Sequence, residues 1–235
     1  MGVILNNSSI YDPYWSVAPV VIIPLLDWYL KAWKSGVLLL TALILIWGIR
    51  LTVHWVFTFK DLKTQDWRYS QLKKGNPRIW FITNLFGIHL FPTSMVYLVS
   101  IPAYLFLLNF TEMNIGVVAG ACLCAFAIIV QAVSDWQMTR FRKRSVNLGH
   151  VNRTGLWRFI RHPNYLGEVL MWWGIYVMLV FSCPGLWYSI IGAIANTLMF
   201  IFISIPLMER RQLQTKPEYS EYITQVGMLL PKLKK

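Results

Sequence analysis

Acid is scarce in this 235-residue chain: Asp and Glu number 10 against 22 Lys and Arg, a net charge of +12. Charge of either sign is thin, 14% of residues against ~25% in soluble domains, while 56% are hydrophobic. That balance leaves no room for a large soluble domain between the apolar stretches. Cysteine is sparse too. Cys122, Cys124 and Cys183 lie in or beside apolar stretches without paired spacing, which excludes a disulfide framework or a thiolate zinc site. His54, His89, His150 and His162 show no ligand spacing either, so no metal is expected. Internal repeats, low-complexity tracts and flexible linkers are missing. So is the basic start with a short apolar core that marks a cleaved leader, and the first apolar stretch is read as a retained span.

What is present is apolar length. Crossing ~30 Å of hydrocarbon takes about 20 apolar residues in a helix, and stretches of that kind run at about 17–33, 36–57, 78–108, 114–139, 163–182 and 186–208. The expected fold is an all-α, polytopic transmembrane bundle of about six spans, followed by a short amphipathic helix between Pro217 and Pro231. The expected halves are 1–113, on the substrate side, and 114–235, on the cofactor side. Apart from Lys31, Lys34 and Arg50, every Lys and Arg falls in 58–78, 140–161 or 210–235. Basic loops stay on the cytosolic face, and six spans with a cytosolic N-terminus place all three segments there. Reading 78–108 as two spans would put 58–78 and 140–161 on opposite faces. One long helix disturbed at Pro92 and Pro102 is therefore preferred, with seven spans as the alternative. Confining the positive charge to loops beside spans also argues for a bilayer partner and against nucleic acid.

Three polar groupings interrupt the apolar pattern of the second half. Gln131, Asp135 and Arg142 are four and seven residues apart and share one helical face. Acids within spans are costly and usually mark function; a structural pairing of Asp135 with a nearby arginine is the plainer reading. Arg158, Arg161, His162, Asn164, Tyr165 and Glu168 surround the start of the fifth span, where an acid suits the helix dipole. A Glu168–Arg161 pair would account for the charges, though not for Asn, Tyr and Glu entering together. Glu209, Arg210 and Arg211 precede Tyr219 and Tyr222; arginines suit phosphate, and a basic flank with interfacial aromatics is the alternative. All three groupings lie where a water-soluble anion would arrive from the cytosol and a lipid from the bilayer.

The run GLWRFIRHPNYLGEVLMWWG, with Gln131 and SDWQMTRFRKR before it, resembles the membrane-bound steroid 5-alpha-reductase superfamily, in its branch labelled as a domain of unknown function. YDPYWSVAP near the start and DWRY at 66–69 are similar to the same branch, so the resemblance covers nearly the whole chain. It implies NADPH bound by the C-terminal half of the bundle. Asn164 and Glu168 match the Asn-aromatic-Leu-Gly-Glu motif that contacts the cofactor. Asp135 and Arg142 match an acid and an arginine at the nucleotide, and Gln131 replaces a usual asparagine. Arg210 or Arg211, with Tyr219, fits the C-terminal arginine and tyrosine. Trp157 fits an aromatic preceding the motif, and Arg161, His162 and Tyr165 belong to its core. The superfamily polarises a keto oxygen with a glutamate and a tyrosine in the N-terminal half. No such acid occurs in the second span here, where Arg50 and His54, one turn apart, are the candidate catalytic pair.

The implied activity is reduction of a carbon–carbon double bond in a lipid-soluble substrate (a steroid, sterol or other enone or enoyl lipid). The expected setting is the endoplasmic reticulum in a eukaryote or the inner membrane in a bacterium. Arg161 to Gly167 (RHPNYLG) is shared with S-adenosylmethionine-dependent lipid and isoprenylcysteine-type methyltransferases, the alternative activity. A non-catalytic lipid-binding protein is the third reading.

Overall fold

A computed structural model describes residues 7–59, 61, 66–75, 77–110 and 112–232; parts of the basic 58–78 segment lie outside them. Among the described residues every regular element is helical, and six helices are long and apolar enough to cross a membrane. Six spans, not seven, is therefore the count among the described residues. The chain divides into two compact units, Met1–Glu112 and Met113–Lys235.

In the first unit, a 3-10 turn at Ser8–Tyr11 leads into α1 (Tyr14–Leu30). The span thus begins nearer the N-terminus than its apolar run, because Asn7 caps the turn through the Ser9 N–H. Lys31, at a φ of 51°, ends α1 in the left-handed conformation that closes many helices. α2 (Ser35–Thr58) packs antiparallel to α1, with Ser16 Oγ 2.8 Å from Thr52 Oγ1 and Thr41 Oγ1 donating to Asp27 Oδ2 at 3.2 Å.

A short helix, α3 (Trp67–Gly75), follows. α4 (Trp80–Asn109) is the single long helix expected over 78–108, and its disturbance is a π-helical stretch at Thr83–Leu90 just before Pro92. Pro102 lies inside regular α-helix. The YDPY and DWRY motifs meet: Tyr69 donates to Asp12, and Arg68 pairs with Asp66 at 2.9 Å and Asp12 at 3.5 Å. Asp66 also caps the start of α3 through the Arg68 N–H. These motifs therefore tie the N-terminal turn to the segment after α2.

The second unit holds α5 (Ile115–Arg142), α6 (Pro163–Ser182), α7 (Pro184–Thr215) and α8 (Tyr219–Gln225). Pro163 occupies the first turn of α6, where its missing N–H costs no hydrogen bond. α5 and α6 pack backbone to backbone. A Cβ on Gly174 would lie 2.8 Å from Gly120 O, and one on Gly167 would lie 2.8 Å from Ala127 O and 2.5 Å from Gln131 Cγ. Small residues at such an interface let polar side chains reach across it. α7 starts as a 3-10 turn at Pro184–Ser189, turns π-helical over Phe200–Ser204, and continues as α-helix from Ile205 to Thr215. It outruns the apolar run at 186–208 because the charged residues after Leu207 extend the helix. The C-terminal amphipathic helix is α8, whose Tyr219 and Tyr222 pack with Val151 and Val226.

Candidate functional site

Gly167 lets α5 come close enough for Gln131 Nε2 to donate to Glu168 Oε2 at 2.9 Å. Trp172, one turn along α6, donates its indole N–H to Glu168 Oε1 at 2.9 Å. Gln131, Glu168 and Trp172 are all buried. Cys124 Sγ to Met171 O, 3.4 Å, supplies a second point of register between the antiparallel helices. That register sets Asp135 level with Asn164 and Tyr165, one turn closer to the loop end. Arg142 lies in the electrostatic field of both Asp135 and Tyr165. Arg142 to Gln131 covers roughly 16 Å of helix at about 1.5 Å per residue, the length scale of an extended dinucleotide. Asn164 is half-buried, and its side chain has no hydrogen-bond partner among the described residues.

Arg161 and His162 point elsewhere. Arg161 Nε donates to Glu209 Oε1 at 2.7 Å, and its Nη1 reaches the carbonyl oxygens of Ile223 at 3.2 Å and Val226 at 2.5 Å. His162 Nε2 lies 2.9 Å from the same Glu209 oxygen, and its ring stacks on Tyr165 at 5.3 Å. The backbone repeats the tie, since Arg161 N donates to Gly227 O and His162 N to Met228 O. Burial holds the His162 imidazole below its ordinary value; the Glu209 hydrogen bond and charge oppose that, and Arg161 adds to it. The acid that meets Arg161 is thus Glu209 on α7, and Glu168 is held by Gln131 and Trp172 instead.

Trp157 is also buried, donating its indole N–H to Ser134 O at 3.2 Å and accepting from the Tyr222 hydroxyl at its carbonyl. Tyr219 is buried beside Tyr222 and lies in the field of Glu209, Arg161 and Tyr165; burial is the main cause that raises its phenol. Gln137 accepts from the Leu156 N–H at 2.9 Å against Gly155, whose φ of 58° and close approach to that side chain both require glycine. Arg210 is exposed with no hydrogen bond among the described residues, and Arg211 is half-buried. Lys216 was not singled out by the sequence. Burial, and after it the positive charge of Arg142, lower its ammonium, so two cations face one region.

The structure therefore gathers Gln131, Asp135, Arg142, Asn164, Tyr165 and Glu168 along the α5–α6 seam, while Trp157, Arg161, His162 and Tyr219 join in fastening the C-terminal segment. Arg50 and His54, half-buried on α2, belong to the other unit. No group of three or more His, Cys, Asp or Glu suited to a metal ion occurs among the described residues.

Residues 1–226 match the family described as "Protein of unknown function (DUF1295)". The chain belongs to the DUF1295 family. This DUF1295 chain is also 24% identical to an uncharacterised protein of Schizosaccharomyces pombe over 97% of its own length and 74% of the relative's. No solved structure matches it.

Proposed function

We propose that this DUF1295 protein is a membrane-bound, NADPH-dependent reductase of a carbon–carbon double bond in a lipid-soluble substrate. The resemblance of its motifs to the steroid 5-alpha-reductase superfamily supports the reading. The observation that carries it is the seam of polar side chains running from Arg142 past Asp135 and Asn164 to Gln131 and Glu168.

The residues fit such a cofactor in three respects. Arg142, Lys216 and Arg210 supply cations at the loop end, where phosphates would enter. Asn164 has an amide with its hydrogen-bonding capacity unspent. Deeper in the unit, buried Asn196 has both amide atoms without a partner. Glu209, the acid a sulfonium would need here, is already shared by Arg161 and His162, which disfavours S-adenosylmethionine.

Bound NADPH would supply a hydride. The protein's own part is to hold the nucleotide along the seam, keep Glu168 fixed through Gln131 and Trp172, and exclude water from the buried stretch. A donor must also meet the oxygen of a conjugated carbonyl as negative charge develops on it. Equilibrium titration of the purified, folded protein tests the reading. NADPH should bind, and Glu168→Ala should weaken it by at least about tenfold, or ~1.4 kcal/mol. Absence of NADPH binding, or methyl transfer from S-adenosylmethionine to lipid, would overturn it.

A further inference from the structure

Asn196 is the one residue among the described chain whose side-chain nitrogen and oxygen are both buried without a partner, and it is 0% exposed. An amide in that state carries a desolvation cost that natural structures rarely leave uncompensated. Two contacts on its C-terminal side fix its level. Thr197 accepts from the Trp173 indole N–H at 3.0 Å, and Phe200 lies against the Tyr165 ring at 4.8 Å. Since α6 and α7 run antiparallel, Asn196, which precedes Thr197, sits level with Trp173 or farther from the loop end. That is past Glu168, toward the inner part of the unit. The π-helical turn of α7 begins four residues later, at Phe200, and such turns recur at functional sites.

The polar groups of the second unit can then be ordered by depth from the loop end. Arg142 and Lys216 come first, Asp135 and Asn164 next, then Gln131 and Glu168, with Asn196 deeper than that pair. The first rungs suit phosphates. The last is a neutral primary amide, offering one donor face and one acceptor face side by side. Its complement presents an acceptor and a donor side by side, as a carboxamide or an adenine edge does, whereas a carboxylate lacks the donor and a ketone lacks both the donor and the second bond. Of these two groups on the cofactor, the carboxamide is at the end away from the 2′-phosphate.

We infer that Asn196 pairs with the carboxamide of the nicotinamide ring and sets the depth and orientation at which that ring is held. This rests on the cofactor reading above. Asn196 is a positioning residue for the reacting ring.

The test compares three ligands on the wild-type protein and on Asn196→Leu and Asn196→Ala: NADP+, its 3-acetylpyridine analogue, which lacks the amide nitrogen, and adenosine 2′,5′-bisphosphate, which lacks the ring altogether. Wild type should prefer NADP+ to the acetylpyridine analogue by about tenfold, and both variants should lose that preference. The bisphosphate should bind all three proteins alike. Asn196→Leu should also raise the melting temperature of the ligand-free protein, because it removes the orphaned amide; a purely structural asparagine would give a lower one. If the variants keep the wild-type preference, or wild type has none, the assignment to Asn196 fails while the cofactor reading stands. If neither NADP+ nor the bisphosphate binds wild type, both fail together.

Discussion

Glu168 has a hydrogen bond on each carboxylate oxygen, one from an amide on the facing helix and one from an indole on its own. Such a group is positioned rather than free to move, and the two donors should not be equivalent in their effect. Gln131→Leu removes the interhelical donor, and a cost of about 1–3 kcal/mol is expected for a buried acceptor that loses a partner. Chemical denaturation in detergent would show it as a lowered midpoint.

His162 gives a prediction in pH. Its unfolded counterpart takes up a proton near pH 6.5, and the folded imidazole only at lower pH because it is buried. Between those values the unfolded chain binds more protons, so stability is full above 6.5 and declines as the pH falls. Melting temperatures should drop on acidification from about pH 7.5 to 5, the range where histidine changes charge. The part of the drop due to this imidazole should vanish in His162→Gln; an unaltered profile in that variant would refute it.

Two helix pairs carry the second unit, and each offers a test. α5 and α6 approach through Gly120, Gly167 and Gly174. Gly167→Val places methyl groups against Ala127 O and the Gln131 stem, and overpacking of this kind costs about 1–3 kcal/mol. The variant should melt lower and weaken NADPH as well, since Gln131 can no longer reach Glu168.

α6 and α7 are joined at their loop ends by Arg161, His162 and Glu209, with the C-terminal segment bound to the same arginine. Removing one member of a buried ion pair strands the other, at about 3–5 kcal/mol. Arg161→Met should therefore release the segment after Lys216, and limited proteolysis should cut there first, well before any site within the spans.

At the scale of the whole molecule, sidedness is the prediction. Basic segments kept on one face require that Ser145→Cys and Ser220→Cys, in a background lacking the native cysteines, react with an impermeant maleimide only from the cytosolic face. Met113→Cys should react only from the other. Labelling of all three from one side would overturn the topology.

The spans were legible in the sequence because length and hydropathy decide membrane crossing with little help from packing. Their ends were not. Ser8–Tyr11 joins α1 through an Asn7 cap, and α7 runs on to Thr215 after its apolar residues stop. The α5–α6 seam could be anticipated from the four-residue spacing of Gln131 and Asp135. The partner of Arg161 could not, because Glu209 lies across the α6–α7 connection and Glu168 is nearer in sequence. Nor could Asn196, a single amide in an apolar run, since a lone polar residue there gains meaning only once its neighbours are known to leave it unmatched.

The π-helical turn at Phe200–Ser204 makes the last span tolerant of a change in length at one place. Each of its hydrogen-bonded loops encloses one residue more than an α-helical loop. Deleting a single residue there should restore ordinary winding and leave the flanking faces in phase. The same deletion within Ile190–Met199 would swing everything after it by about 100° and carry Glu209 away from Arg161. Homologues that differ by one residue in this span are accordingly expected to have gained or lost it in that turn.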